Sequence, residues 1–232
     1  MLAALTLLIV YMVLGIPVAI VGIPWTLITG NVSFVYRSAL VVARTGLRVV
    51  GIRVETLWRT RLDPKKTYLF FSNHLSNLDA PVLLPLLPGR TSVFIKRSLL
   101  KVPMLGYGMK LANFIPVDRD GSVESAKQSV ETAVNVLASG INVTSFVEGT
   151  RSSDGRLLPF KKGPFYLAME SGAGVVPITI AGTDKLMPKG SLKIHPGTAR
   201  VIFHEPIEPK NYASREDLMA AVRVAIESGL DR

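Results

Sequence analysis

The sequence predicts an α/β fold: a mixed, mostly parallel-type sheet flanked by helices, preceded by an N-terminal membrane-embedded helical motif. Three observations carry that expectation. From residue 67 onward, short apolar runs bounded by turn residues alternate with stretches of helical periodicity. Such alternation builds a sheet covered by helices. No charged residue occurs between Met1 and Tyr36. The chain of 232 residues carries a formal net charge of +10 despite 48% hydrophobic residues. Its mean hydropathy of +0.35 is high for a soluble α/β protein.

The apolar run Leu2 to Ile28 exceeds the roughly 20 residues needed to cross a bilayer. A cleaved signal peptide is disfavoured, because no basic region precedes the run and it outlasts the usual ~7–15-residue apolar core. Gly15, Pro17, Gly22 and Pro24 interrupt it, and prolines kink or break helices. Leu2 to Leu14 alone would span only about 20 Å, short of the ~30 Å hydrocarbon core. Two readings stay open: a kinked single span, and a re-entrant hairpin that dips into one leaflet. Arg37, Arg44 and Arg48 follow at spacings of seven and four, on one helical face. That pattern suits an interfacial helix with its arginines among lipid phosphates. With Arg53, Arg59 and Arg61 they predict that this side is cytoplasmic. The motif is expected over residues 1–52 and the α/β domain over 53–232.

Further elements follow in order. Tyr68 to Phe71 reads as a buried strand, and Pro81 to Leu87 as part of a helix. Val93 to Ile95 and Phe114 to Val117 are β-like. Ser98 to Lys110 is helical with a break near Pro103. Val123, Ala126, Val130, Val134 and Leu137 recur at helical spacing, capped by Ser122 and stopped by Gly140. Asn142 to Val147 and Val175 to Ile180 are strands, with a short helix at Phe165 to Ser171 between them. Leu192 to Ile194 and Ala199 to Phe203 flank His195-Pro196-Gly197 as a hairpin. Ser214 caps a last amphipathic helix carrying Leu218, Val222 and Ile226, with Asp217 completing a capping-box-like pattern.

Composition removes several classes of chemistry. With no cysteine, disulfides, thiolate-ligated zinc, iron–sulfur clusters and acyl-cysteine intermediates are excluded. The basic balance favours anionic partners. Nucleic acid is disfavoured, since no zinc-finger spacing, RNP aromatic motif or basic helical block is present. No G-x-S-x-G elbow, P-loop or dinucleotide fingerprint occurs.

Two tracts follow strands directly, where open α/β sheets place their sites. The first is Ser72-Asn73-His74-Leu75-Ser76-Asn77-Leu78-Asp79. Residues five apart are out of phase on one helix. They meet if His74 lies in the loop and Asp79 in the first helical turn, with Asn77 as N-cap. Asp79 would then fix the imidazole tautomer and leave the other nitrogen free to take a hydroxyl proton. A histidine helix cap with an aspartate at the helix N-terminus fits the same spacing, which alone does not separate the two. The second tract, Phe146-Val147-Glu148-Gly149-Thr150-Arg151-Ser152, suits a phosphate. Gly149 lets backbone approach closely, and Thr150, Arg151 and the N–H groups supply donors. Glu148 could hold Arg151 or contact an acceptor hydroxyl, and a surface turn with a local Glu–Arg pair fits equally. Lys96, Arg97, Arg119, Lys161 and Lys162 lie near strand ends. His195 and His204 read as structural.

Together these tracts resemble the glycerolipid acyltransferase family, which includes 1-acylglycerol-3-phosphate acyltransferases. Asn73, His74 and Asp79 match its first motif. Residues 146–152 match its phosphate motif, with Val147 in place of proline. Asp118 and Arg119 match an intermediate motif, and Val176, Pro177 and Ile178 a later one. Lys96 falls where the family commonly has lysine. The resemblance implies acyl transfer from acyl-CoA or acyl carrier protein to the sn-2 hydroxyl of lysophosphatidate, giving phosphatidate for phospholipid biosynthesis. It implies His74 and Asp79 as the catalytic pair. Lys96, Arg119, Glu148, Gly149, Thr150 and Arg151 would form the phosphate site, with no metal and no cofactor. The expected place is the cytoplasmic face of the inner (plasma) membrane, among membrane lipids. Other acceptors, such as glycerol 3-phosphate or another lysolipid, would use the same base. The competing class is a non-catalytic module that binds anionic lipid.

Overall fold

A computed structural model describes residues 2–118 and 123–230. The chain opens with helix α1 (Leu2–Thr29), which turns back into helix α2 (Ser33–Val49). α1 runs through Pro17 and Pro24 without a break, so the reversal falls later than those prolines led one to expect. It lies at Gly30, with φ +69°, and at Asn31, whose Oδ1 accepts the Ser33 N–H at 2.9 Å. Glycines let the two helices approach closely. A Cβ at Gly22 would stand 2.9 Å from Val35 Cβ, and one at Gly46 would stand 2.3 Å from Tyr11 Cε1. The other face of α1 is open: Leu5, Leu8, Met12, Val13, Ile20 and Leu27 are all exposed. By length and composition α1 is able to cross a membrane.

The described residues form a seven-stranded sheet. Its strands are β1 (Ile52–Trp58), β2 (Tyr68–Ser72), β3 (Thr91–Lys96), β4 (Ile115–Val117), β5 (Asn142–Phe146), β6 (Gly174–Ala181) and β7 (Gly197–Phe203). Their spatial order is β1-β7-β6-β2-β5-β3-β4. All neighbouring pairs are parallel except β6 with β7. The helices are α3 (Asp79–Leu83), α4 (Leu105–Leu111), α5 (Val123–Ala138), α6 (Lys162–Ser171), α7 (Thr183–Leu186) and α8 (Arg215–Glu227). The break near Pro103 is present, between a 3₁₀ turn at Arg97–Lys101 and α4.

The period of two along each strand splits the core. Phe70, Val176, Ile178 and Phe203 face α2 and α3 with Leu47, Val82 and Leu83. Leu69, Phe71, Val143 and Val175 face the other layer with Phe165, Leu167, Leu218 and Val222. Central strands buried on both faces read as unbroken apolar runs. β1 has no such run, because only Ile52 of it is buried.

Two expectations are corrected. Leu192 to Ile194 form no strand, so the expected hairpin is absent. The edge of β7 is taken by β1, in register from Ile52↔Gly197 to Trp58↔Phe203. Trp58 stacks on Phe203 with ring centroids 3.7 Å apart. The expected cap Asn77 is exposed, and α3 starts after Leu78 with no side-chain cap; Ser76 instead braces the loop, its Oγ accepting the Leu78 N–H at 3.2 Å and donating to the Met187 carbonyl at 2.7 Å. Ser122, expected to cap α5, lies outside the described residues. Ser214 does cap α8, accepting the Asp217 N–H at 3.1 Å.

Phe165 is fully buried, edge-on to Phe71 at 5.1 Å and stacked near Phe160 at 6.0 Å. Phe165→Ala should cost about 3–5 kcal/mol. Equilibrium denaturation in detergent checks this, and an unchanged midpoint would remove Phe165 from the core that supports β2.

Candidate active site

β2, β3, β5 and β6 are mutually parallel, so the segments that leave their C-terminal ends meet along one edge of the sheet. After β2 the chain is pinned before it reaches its chemistry. The Asn73 amide donates to the Ile180 carbonyl at 2.8 Å and accepts the Ile180 N–H at 2.7 Å. His74 follows, its side chain 17% exposed, and its ring stacks on Phe146 at 4.1 Å. Nδ1 lies 2.7 Å from Asp79 Oδ2. His74 therefore sits in the loop and Asp79 at the first residue of α3, the arrangement in which the two can meet.

Asp79 is fully buried, and four donors converge on it. Beside His74, the N–H groups of Leu75 and Ser76 reach Oδ2 at 2.6 and 2.8 Å. The Thr183 hydroxyl reaches Oδ1 at 2.6 Å from the start of α7. A carboxylate only accepts, so Nδ1 carries the proton and Nε2 presents its lone pair. Among the described residues Nε2 has no hydrogen-bond partner. The pair can take a proton from a hydroxyl brought to the sheet edge.

The second tract grips the first. The His74 N–H donates to Glu148 Oε1 at 2.7 Å, and the His74 carbonyl accepts the Ser152 N–H at 2.7 Å. Glu148 Oε2 accepts the Leu158 N–H at 2.7 Å. With both oxygens committed and only 1% exposed, Glu148 neither reaches a ligand phosphate nor holds Arg151. It ties two loops together. Burial pushes its carboxyl above the ordinary 4.5, against the two N–H bonds that favour the charged form. Gly149 has φ +68°, and a Cβ there would stand 3.0 Å from Lys161 Cγ.

The basic groups remain open. Thr150 is exposed and Arg151 half-buried. Among the described residues neither side chain has a polar partner. The Arg151 carbonyl accepts from Lys189 Nζ at 2.8 Å, which brings a further cation to this turn. Lys96 is exposed at the end of β3. Arg97 is committed to Asp118, its Nε 2.8 Å from each oxygen, and that contact lowers the Asp118 pKa. Arg119 lies outside the described residues. Ser76 and Thr183 were not legible as site residues, and Asn73, matched within the first motif, was given no role there. Thr183 had one signal, its place just after β6, but its partner lies 104 positions away. His195 is exposed, and His204 is buried with Nε2 2.8 Å from Thr179 Oγ1.

Comparison with known proteins accords with this arrangement. The acyltransferase family model matches residues 52–181. A chloroplastic 1-acyl-sn-glycerol-3-phosphate acyltransferase of Brassica napus is 41% identical over 153 residues, which are 65% of this chain and 42% of that protein. The human 1-acyl-sn-glycerol-3-phosphate acyltransferase alpha is 33% identical over 157 residues, 68% of this chain and 56% of that one. The chain thus spans about half the length of the curated relatives it matches. The crystal structure of the 1-acyl-sn-glycerophosphate acyltransferase PlsC from Thermotoga maritima has the same fold. Its TM-score is 0.80 at 23% identity, with 99% of this chain and 94% of that one covered. By the match of the family model to more than half its length, this chain belongs to the acyltransferase family.

Proposed function

We propose that this chain moves a fatty acyl group from acyl-CoA or acyl carrier protein to the sn-2 hydroxyl of lysophosphatidate, giving phosphatidate. One observation carries the reading: the 2.7 Å contact between His74 Nδ1 and buried Asp79, with Nε2 left open at the sheet edge. Nε2 takes the hydroxyl proton as the hydroxyl oxygen attacks the thioester carbonyl. The tetrahedral adduct collapses, the C–S bond breaks, and the leaving thiolate takes the proton back from His74. Asp79 orients the ring and stabilises its protonated form. No acyl-enzyme forms, so donor and acceptor are bound together, and no cofactor enters the balance.

Arg151, Lys96, Arg119 and the Thr150 hydroxyl bind the acceptor phosphate, and Gly149 shapes the turn that carries Thr150 and Arg151. Holding the phosphate sets the hydroxyl beside Nε2, and positioning of this kind supplies a large part of the rate. Residues 1–52 attach the chain to the membrane that holds its lipid acceptor. The arginines that follow α1 support attachment at the cytoplasmic face of the inner membrane.

Purified protein should acylate lysophosphatidate faster than glycerol 3-phosphate or neutral lysolipids, in a panel that pairs each acceptor with both donors. In that assay His74→Ala should lose about 10²–10⁴-fold in turnover. Full activity in a folded His74→Ala protein would sink the general-base role, whereas no acyl transfer by the unaltered protein to any acceptor would leave the lipid-binding module as the better reading.

Thr183→Val removes the hydroxyl that holds Asp79 Oδ1 without changing side-chain volume much. About tenfold should be lost from kcat with little change in KM, a cost near the ~1.5–3 kcal/mol of a hydrogen bond to a charged group. A change confined to KM would place Thr183 in substrate binding instead.

Glu148 gives a pH signature in stability. Its folded pKa is raised, so the fold holds the proton more tightly than the unfolded chain does. This stabilising contribution is complete below the ordinary 4.5 and is lost as pH rises through the folded value. Glu148→Gln should flatten that falling limb in denaturation curves taken across acid pH. It should also destabilise by about 1–3 kcal/mol, because one backbone N–H loses its acceptor. A limb that survives in the variant would assign it to another group.

A further inference from the structure

The segment between β3 and β4 carries an apolar surface that the reaction does not use. Leu99, Val102, Met104, Leu105 and Tyr107 are each 38–52% exposed, within nine consecutive residues. Lys96, Lys101 and Lys110 surround them, also exposed, and among the described residues none has an ion pair. No carboxylate occurs between Asp79 and Asp118, so the segment has no acidic residue of its own.

Its backbone is tightly built. The Leu105 N–H reaches the Pro103 carbonyl at 2.6 Å, closing a γ-turn centred on Met104 with φ +58° and ψ −52°. That conformation is rare for a residue with a side chain and is strained. A Cβ at Gly106 would stand 2.2 Å from the Leu100 carbonyl oxygen, so only glycine lets the turn close. A strained, tightly closed turn thus holds Met104 and Leu105 outward at its tip, where a soluble protein would place polar residues.

The position of this tip argues for its occupant. It leaves the C-terminal end of β3, the edge at which His74 leaves β2. The Tyr36 hydroxyl near the start of α2 accepts the Thr91 N–H at 3.0 Å and donates to the Thr91 carbonyl at 3.3 Å. The turn end of the α1–α2 hairpin is therefore fastened to the start of β3, and the tip emerges from the other end of that strand. Apolar side chains within a cationic rim match the layering of an anionic bilayer surface, acyl chains below and phosphates around.

We propose that residues 99–107 form a second bilayer contact, separate from α1, which inserts its apolar tip among anionic lipids and holds the site edge against the membrane. The inference rests on the reading of α1 as a membrane anchor and is independent of catalysis. A competing occupant is an acidic carrier protein, for which a cationic surface would suffice and five exposed apolar side chains would not be needed.

The chain contains no cysteine, so single-cysteine labelling is clean. Met104→Cys, Leu105→Cys and, as control, Glu131→Cys on exposed α5 would be labelled with an environment-sensitive fluorophore in the full chain. Each would be mixed with vesicles of phosphatidylcholine and phosphatidylglycerol. Positions 104 and 105 should shift to shorter-wavelength emission and become several-fold less accessible to iodide, while position 131 stays water-like. Co-sedimentation reports α1 attachment separately. Water-like emission at 104 and 105 in vesicle-bound protein would overturn the second contact while leaving the anchor intact. Protection by acyl carrier protein in the absence of vesicles, with none from lipid, would overturn it in favour of a protein partner.

Discussion

The buried carboxylate of Asp79 is the constraint on which the site depends. An isolated carboxylate taken out of water costs several kcal/mol even after relaxation. Asp79 escapes that cost because its four donors come from separate places: the histidine ring, two backbone N–H groups of the same loop, and a hydroxyl more than a hundred residues on. Each donor is in turn held by something else. Asn73 fastens the loop to β6, Ser76 fastens it to Met187, and α7 carries Thr183 off the end of β6. The stability of the loop and the orientation of His74 are thus one property. A change that loosens β6 against β2 reaches His74 through Asp79 without touching either residue.

Charge in the site is sorted by depth. The acceptors, Asp79 and Glu148, are buried and saturated by donors from the protein itself. The cations Lys96, Arg151 and Lys189 sit at the rim, on segments leaving different strands. A buried anion that already has its donors does not compete with a ligand for the rim. Exposed cations, for their part, cost little to leave in water. The result is a cationic edge above an interior whose buried carboxylates are already hydrogen-bonded. Glu148 shows why the sorting matters. The same Glu-Gly-Thr-Arg tract reads as a ligand-binding run, yet its first side chain is turned inward to brace His74.

Much of this was legible because central parallel strands announce themselves. β2, β5 and β6 are buried on both faces and appear as unbroken apolar runs, with the chemistry directly after them. β1 was not legible, since its Arg53 and Glu55 alternate with apolar residues on a sheet edge with one buried side chain. The false hairpin came from a local turn signal, His195-Pro196-Gly197, whereas the true neighbour of β7 is β1, far earlier in the chain. Local spacing found His74 and Asp79, yet it chose the wrong cap. α3 takes no side-chain cap, and the loop before it is held by Ser76 through the Met187 carbonyl, far along the chain. Thr183 and the bracing role of Glu148 are long-range facts of the same kind. The prolines of α1 misled for another reason. α1 continues through Pro17 and Pro24 and packs against α2 at Gly22 and Gly46, contacts that no local pattern announces.

The glycine seam also settles how the hairpin divides its surface. Gly22 and Gly46 draw α2 so close to α1 that only one narrow stripe of α1, with Leu7 and Thr26, is covered. Ala3, Ala4 and Tyr11 are partly covered by the core, but much of α1 stays open along its length, from Leu2 at 80% exposure to Ile28 at 83%. Soluble monomers rarely expose apolar patches above about 300–600 Å². A 28-residue helix open on most of its circumference is well beyond what water favours. α2, by contrast, turns Arg37, Arg44 and Arg48 outward, and Arg44 reaches back to the Pro85 carbonyl at 2.8 Å, just past α3. The hairpin therefore has an apolar helix suited to lipid and a cationic helix suited to the boundary. α2 is bonded to the segment following Asp79, which ties the hairpin to the region of the fold that carries His74.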